Sequence, residues 1–185
     1  MVARQGCLNA APIEVSHPGT LIRIVPIRAP ARQTHIDRGV SLMSRTDILL
    51  IEDNPHDAEM TITTLEERNI TRSIAVVRDG AEALESLFGP FGCAEREADC
   101  PRVILLDLKL PKVNGLEVLK KIRSDERTKC IPVVVLTSSN EEKDRIESYR
   151  LGANSYIVKP VDFDDYSKSI AETGYYWVTL NKPPY

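Results

Sequence analysis

The fold is indicated by residues 103–115, Val103-Ile-Leu-Leu-Asp-Leu-Lys-Leu-Pro-Lys-Val-Asn-Gly115. Four apolar residues follow one another without a polar residue between them, which is typical of a strand buried on both faces of a sheet. The run ends on Asp107, and a loop marked by Pro111 and Gly115 follows. A carboxylate at the end of such a strand either caps the strand or meets a ligand, and the neighbouring segments decide between these interpretations.

Four other segments have the same apolar character and alternate with segments of helical period. The predicted strands cover residues 47–53, 74–77, 103–107, 131–137 and 155–158. Continuous apolar strands separated by helices predict a parallel sheet covered on both faces, with right-handed crossovers. We therefore expect an α/β, flavodoxin-like, doubly wound sheet of five strands in the order 2-1-3-4-5, with a C-terminal extension.

Polar side chains stand where these strands end. Glu52 and Asp53 follow the first strand, Asp107 the third, Thr137 the fourth and Lys159 the fifth. Carboxylates at one sheet edge repel one another unless a cation is present, and a set of oxygen ligands favours Mg²⁺. Asp107 could then attack phosphorus as a nucleophile, with Lys159 and the metal neutralising the transferred group.

Composition excludes other classes of function. A net charge of −3 argues against a surface for nucleic acid, and no apolar run approaches the length of a membrane span. We therefore expect a soluble cytoplasmic protein. Residues 1–43 contain five Arg and no Lys and show no sustained period, which predicts a disordered leader or a non-native extension; a basic binding arm is the alternative.

Four segments of the sequence have the character of family signatures: Ile48-Leu-Leu-Ile-Glu-Asp-Asn54, Leu105-Leu-Asp-Leu-Lys-Leu-Pro-Lys-Val-Asn-Gly115, Val133-Val-Val-Leu-Thr-Ser138 and Tyr156-Ile-Val-Lys-Pro160. Together they resemble a two-component response-regulator receiver domain, and the resemblance covers residues 46–173. It implies that Asp107 accepts a phosphoryl group from the phosphohistidine of a sensor histidine kinase. Such a protein is a signalling protein and not an enzyme, with only weak self-phosphorylation and self-dephosphorylation.

The same resemblance implies a role for each matching residue. It implies that Mg²⁺ is held by Glu52, Asp53, Asp107 and the backbone carbonyl of Lys109, and that Lys159 contacts the phosphoryl group. Thr137 and Tyr156 are expected to move together as the switch, and the Lys159–Pro160 bond is expected to be cis. The side chains of Lys109 and Ser139 occupy positions at which the family tunes the lifetime of the phosphoryl group.

Within the family, the segment from Asp107 to Arg123 looks most like the single-domain regulators that partner bacterial phytochromes, so a phytochrome is the candidate kinase. In that group a C-terminal extension helps to form homodimers. Residues 174–185 hold four of the ten aromatic residues of this chain, so this tail either folds back or packs on a partner; we expect a homodimer. With so short a tail, the expected output is protein–protein contact, or the chain is a phosphate shuttle or sink.

Two other functions remain open at this point. A phosphatase of the haloacid dehalogenase type also uses a strand-end Asp, Mg²⁺, a Thr and a Lys, but such enzymes carry a second Asp where this chain has Lys109. A flavodoxin-like nucleotide-binding protein is the third hypothesis, and the absence of a Gly-rich phosphate loop from the sequence counts against it.

Overall fold

The computed structural model describes residues 46–90, 92 and 100–184. The predicted leader, residues 1–43, lies outside the described residues. The described part of the chain alternates strands and helices in the order β1 (Ile48–Ile51), α1 (Pro55–Glu67), β2 (Ile74–Val77), α2 (Gly80–Phe88), β3 (Val103–Leu106), α3 (Gly115–Ser124), β4 (Val133–Thr137), α4 (Glu142–Arg150), β5 (Ser155–Val158) and α5 (Phe163–Gly174), and a π-helical turn, Tyr175–Leu180, follows directly.

The strands described form one parallel five-stranded sheet in the order β2-β1-β3-β4-β5, which confirms the predicted fold class. β1 pairs with β2 and β3 in register, so Ile48 lies beside both Ile74 and Val103. Because all five strands are parallel, their carboxyl ends lie at one edge of the sheet. β4 is shorter than predicted: it begins at Val133, after Pro132, which lacks the N–H that a ladder position would need.

Hydrophobic residues on the two faces of the sheet form two core clusters. Alternate residues of β1 show the division: Leu49 and Ile51 pack in the cluster of α2 and α3, whereas Ile48 and Leu50 pack in that of α1 and α5. All four are buried. The continuous apolar run of the sequence is therefore explained by helices on both faces.

Side-chain caps fix the start of the helices nearest the sheet edge. Asn54 accepts a hydrogen bond from the backbone N–H of His56 and is followed by Pro55 at the first helical position of α1. Asn114 and Glu117 form a reciprocal capping box at the start of α3. Both caps immediately precede helices that begin beside the carboxyl edge, so they hold the loops that follow β1 and β3.

The C-terminal region continues α5 without a break in helical backbone. The α-helix ends at Gly174, but the chain goes on as the π-helical turn, and Val178 is buried in the α1–α5 cluster with Trp177 against it. Tyr175, Tyr176 and Leu180 remain about half exposed. The tail was expected either to fold back on its own domain or to pack on a partner. Packing on its own domain buries only part of its apolar surface. Among the described residues, each helix is too short or too polar to cross a membrane.

Candidate functional site

The carboxyl edge of the sheet brings four of the predicted side chains together. Glu52 and Asp53 directly follow β1 and Asp107 directly follows β3, and an oxygen from each of the three lies within 4.8 Å of the others. Lys159, which directly follows β5, reaches the same place from across the sheet. The juxtaposition follows from the strand order, because β1 and β3 are neighbours in the sheet.

Lys159 binds three carboxylates at once. Its Nζ donates to Asp107 Oδ2 at 2.8 Å, to Glu52 Oε2 at 2.6 Å and to Asp57 Oδ2 at 2.8 Å. An ammonium has three N–H donors, so these bonds use all of them. The side chains of Lys159, Glu52 and Asp107 are 7%, 1% and 6% exposed, which makes these ion pairs buried ones.

The electrostatics of the cluster are unbalanced towards negative charge. Burial raises the pKa of Glu52 to about 7, although the hydrogen bond from Lys159 lowers it in part. Burial by itself would lower the pKa of Lys159, but its hydrogen bonds to Asp107, Asp57 and Glu52 outweigh burial and leave that pKa above its ordinary value. Lys159 therefore keeps its positive charge, whereas the folded state disfavours the ionised form of Glu52.

This arrangement fits a divalent metal ion. Glu52, Asp53 and Asp107 offer only oxygen ligands, and Asp53 is exposed, so one side of the group is open to solvent. Oxygen-only sets favour hard cations that retain some of their water. One buried ammonium does not neutralise the carboxylates around it, so a cation placed among them would relieve their repulsion.

The loop between β3 and α3 orients Asp107. The backbone N–H of Lys109 donates to Asp107 Oδ1 at 3.0 Å, while Lys159 occupies Oδ2, so both oxygens of the carboxylate have partners. Gly115 approaches the Asp107 carbonyl so closely that a Cβ there would lie 2.3 Å from the oxygen. The Lys109 side chain is exposed, and the hydrogen bond to Asp107 comes from the Lys109 backbone.

Thr137 and Tyr156 are connected through Ser139. The Ser139 backbone N–H donates to the buried Thr137 Oγ1 at 3.3 Å, and the Tyr156 hydroxyl donates to the Ser139 carbonyl at 3.0 Å. Burial raises the pKa of Tyr156, so its phenol keeps the proton that it donates. The Ser139 hydroxyl instead donates to Asp144 Oδ2 of α4 at 2.7 Å. Ser139 thereby connects β4, β5 and α4.

Two features of the site differ from expectation. The Lys159–Pro160 bond was expected to be cis, but it is trans. X–Pro bonds favour the trans form by about 0.5–1 kcal/mol. The sequence reasoning also missed Asp57 as a partner of Lys159. The sequence could have indicated Asp57 as an acid in the first turn of a helix that begins at the carboxyl edge. Acids are common in the first turn because the helix dipole favours them, so this position alone does not indicate a functional residue.

Comparisons with known proteins agree with this geometry. Residues 48–171 match the family model described as the response regulator receiver domain. The chain is 41% identical over 137 residues to the probable methanogenesis regulatory protein FilR2 of Methanothrix harundinacea, which covers 74% of this chain and 86% of that protein.

Solved structures give the same picture. The phosphorylated cyanobacterial phytochrome response regulator RcpA is 35% identical with a TM-score of 0.70, covering 77% of this chain and 100% of RcpA. The Mn²⁺-bound response regulator Rcp1, a Synechocystis protein, is 36% identical with a TM-score of 0.67, covering 76% of this chain and 99% of Rcp1.

Proposed function

This chain belongs to the response regulator receiver domain family, and from that premise we propose that Asp107 accepts the phosphoryl group of a sensor histidine kinase's phosphohistidine. The observation that carries the proposal is the buried Asp107 carboxylate at a strand end, with the Lys159 ammonium 2.8 Å from one oxygen and a backbone N–H 3.0 Å from the other. The family match favours this function over the haloacid dehalogenase alternative, as does Lys109 in place of a second Asp.

The chemistry follows from the donors around Asp107. A carboxylate oxygen of Asp107 forms a bond to phosphorus while the bond from phosphorus to the imidazole nitrogen breaks, which gives an aspartyl-phosphate. Lys159 moves its hydrogen bond from the carboxylate to a phosphoryl oxygen, and the Thr137 hydroxyl binds another. Glu52, Asp53, Asp107 and the Lys109 carbonyl would hold Mg²⁺, which neutralises charge on the transferred group. The Mn²⁺-bound Rcp1 structure supports a divalent ion in this family.

Phosphorylation would act through the connection between Thr137 and Tyr156. Thr137 is drawn to the phosphoryl group, and the loop that holds Ser139 moves with it, so Tyr156 and α4 respond together. The phosphoryl group selects a conformer already populated at a low level. The output is the surface of α4, β5 and α5, where large apolar side chains are exposed: Ile146, Tyr149, Val158, Val161 and Phe163.

The partner that we propose is a histidine kinase of the bacterial phytochrome type, because the chain is similar to RcpA, a cyanobacterial phytochrome response regulator. We also propose a homodimer through the C-terminal region, because Tyr175, Tyr176 and Leu180 leave apolar surface exposed beside a buried Val178. We place the protein in the cytoplasm. We propose that it acts without nucleic acid, because its net charge is −3.

Phosphorylation by a small phosphodonor with Mg²⁺ tests the proposed acceptor. We expect one acid-stable, base-labile phosphate per chain, which Asp107→Asn abolishes. Glu59→Gln is the matched control, because it removes one exposed charge from α1 and should leave the stoichiometry unchanged. Sustained turnover of a phosphomonoester would contradict the proposal and favour the hydrolase.

A further inference from the structure

Asp57 is held by two hydrogen bonds at the start of α1. Its Oδ2 accepts from Lys159 Nζ at 2.8 Å, and its Oδ1 accepts from the Asn54 side-chain amide at 3.2 Å. Asn54 is the N-cap of the helix, so the carboxylate is attached to a fixed point of the backbone. The side chain is 22% exposed, and Lys159 approaches it from the buried side of the site.

The three carboxylates that accept hydrogen bonds from Lys159 have different roles in the proposed function. Glu52 and Asp107 belong to the group of carboxylates whose oxygens could share a metal ion, whereas Asp57 does not belong to that group among the described residues. A cation bound to Glu52 and Asp107 competes with the ammonium for those oxygens and also repels it. Asp57 is then the carboxylate left to hold Lys159.

We propose, on the basis of the function proposed above, that Asp57 is a positioning residue that keeps the Lys159 ammonium beside Asp107 while Glu52 and Asp107 are committed to the metal. Lys159 ends a long flexible side chain, and an ammonium without an acceptor turns towards water. Held by Asp57, it keeps two N–H donors for the oxygens of an incoming phosphoryl group. Asp57 acts through Lys159 and touches neither the metal nor phosphorus.

Binding of beryllofluoride, a non-covalent phosphoryl mimic, tests this role without requiring turnover. It is measured by ¹⁹F NMR titration at a Mg²⁺ concentration that saturates each variant, so that altered metal affinity does not contribute. We expect Asp57→Asn to weaken beryllofluoride binding about tenfold, which is about 1.4 kcal/mol. The matched control Glu59→Gln removes the same charge from an exposed position of α1 and should change binding less than about twofold.

A double-mutant cycle with Lys159→Met separates positioning from a direct effect of charge. If Asp57 acts through Lys159, Asp57→Asn has no further effect once Lys159 is Met. A tenfold loss that persists in the Lys159→Met background, or no loss in the wild-type background, would overturn the proposal. Wild-type protein that fails to bind beryllofluoride with Mg²⁺ would instead count against the proposed phosphoacceptor function.

A second measurement does not require Lys159→Met to fold. With Mg²⁺ saturating, a ¹H–¹⁵N spectrum of lysine ammonium groups should show a slowly exchanging Lys159 resonance in the wild type and in Glu59→Gln. The resonance should be lost in Asp57→Asn, because the ammonium then exchanges with water. A resonance equally protected in Asp57→Asn contradicts the proposal.

Discussion

At the scale of the single residue, Glu52 shows how the site opposes the stability of the fold. The residue is 2% exposed, and burial raises the pKa of its carboxyl from the ordinary 4.5 to about 7. Because the folded chain holds this proton more tightly than the unfolded chain does, the contribution of Glu52 to stability is full below pH 4.5 and is lost as the pH rises through 7. Ionised Glu52 is thus present at neutral pH at a cost to folding.

We therefore predict that Glu52→Gln stabilises the metal-free protein at pH 8. The gain should be on the order of 3 kcal/mol, because each pKa unit corresponds to about 1.36 kcal/mol, and it should vanish near pH 4.5. Urea unfolding in a chelator, followed by circular dichroism at several pH values, measures it. Glu59→Gln, an exposed substitution on α1, should show no such pH dependence. A pH-independent difference for Glu52→Gln would contradict the burial argument.

At the scale of the element, the start of α2 supports the loop that carries Asp107 and Lys109. Gly80 begins α2, and a Cβ there would lie 2.0 Å from the Val113 backbone oxygen. Beside this contact, Lys112 donates to Asp79 Oδ2 at 2.5 Å. Lys112 has a φ of 65°, which is the left-handed region, so the loop holds a non-glycine residue in a conformation that side chains rarely adopt.

We predict that Gly80→Ala destabilises the protein by about 1–3 kcal/mol, because the new methyl group meets backbone atoms that cannot turn away. Lys112→Met, which removes only the ion pair, should cost less than Gly80→Ala, because Lys112 is 67% exposed and the pair is screened by solvent. Equilibrium unfolding in urea compares the two. Equal costs would mean that the ion pair, and not the close backbone approach, holds the loop.

At the scale of the whole molecule, the π-helical turn that follows α5 carries apolar side chains that the core of the domain leaves partly uncovered. Val178 is buried against the α1–α5 cluster, whereas Leu180 and the two tyrosines before Trp177 are half exposed. The turn therefore has an inner face that anchors it and an outer face that a second copy of the chain can cover.

For the proposed homodimer we predict that Leu180→Asp shifts the protein to the monomer, since a charge buried in an apolar interface is costly without a partner. Sedimentation velocity across a range of protein concentrations measures the shift. Thr63→Asp introduces the same charge at an exposed position of α1 and should leave the mass unchanged. A wild-type protein that remains monomeric at every concentration would contradict the dimer.

The strand pattern made the fold and the approximate location of the site predictable. Buried strands such as Val103–Leu106 are continuous apolar runs, and their parallel order places Glu52, Asp107 and Lys159 at one edge whatever the details of packing. The helix caps at Asn54 and Asn114 are also formed by residues that are close to each other in the sequence. These features depend on period, burial and turn chemistry, which neighbouring residues specify.

Only the tertiary structure decided which side chains meet. Asp57 and Lys159 are 102 residues apart, and their bond depends on how α1 is rotated against the sheet. The same is true of the connection from Tyr156 through Ser139 to α4, and of the π-helical turn, whose inner face is set by packing against α1 and α5. Sequence determined the elements and the edge that they share, because these follow from local pattern, whereas contacts between distant elements depend on how the whole core packs.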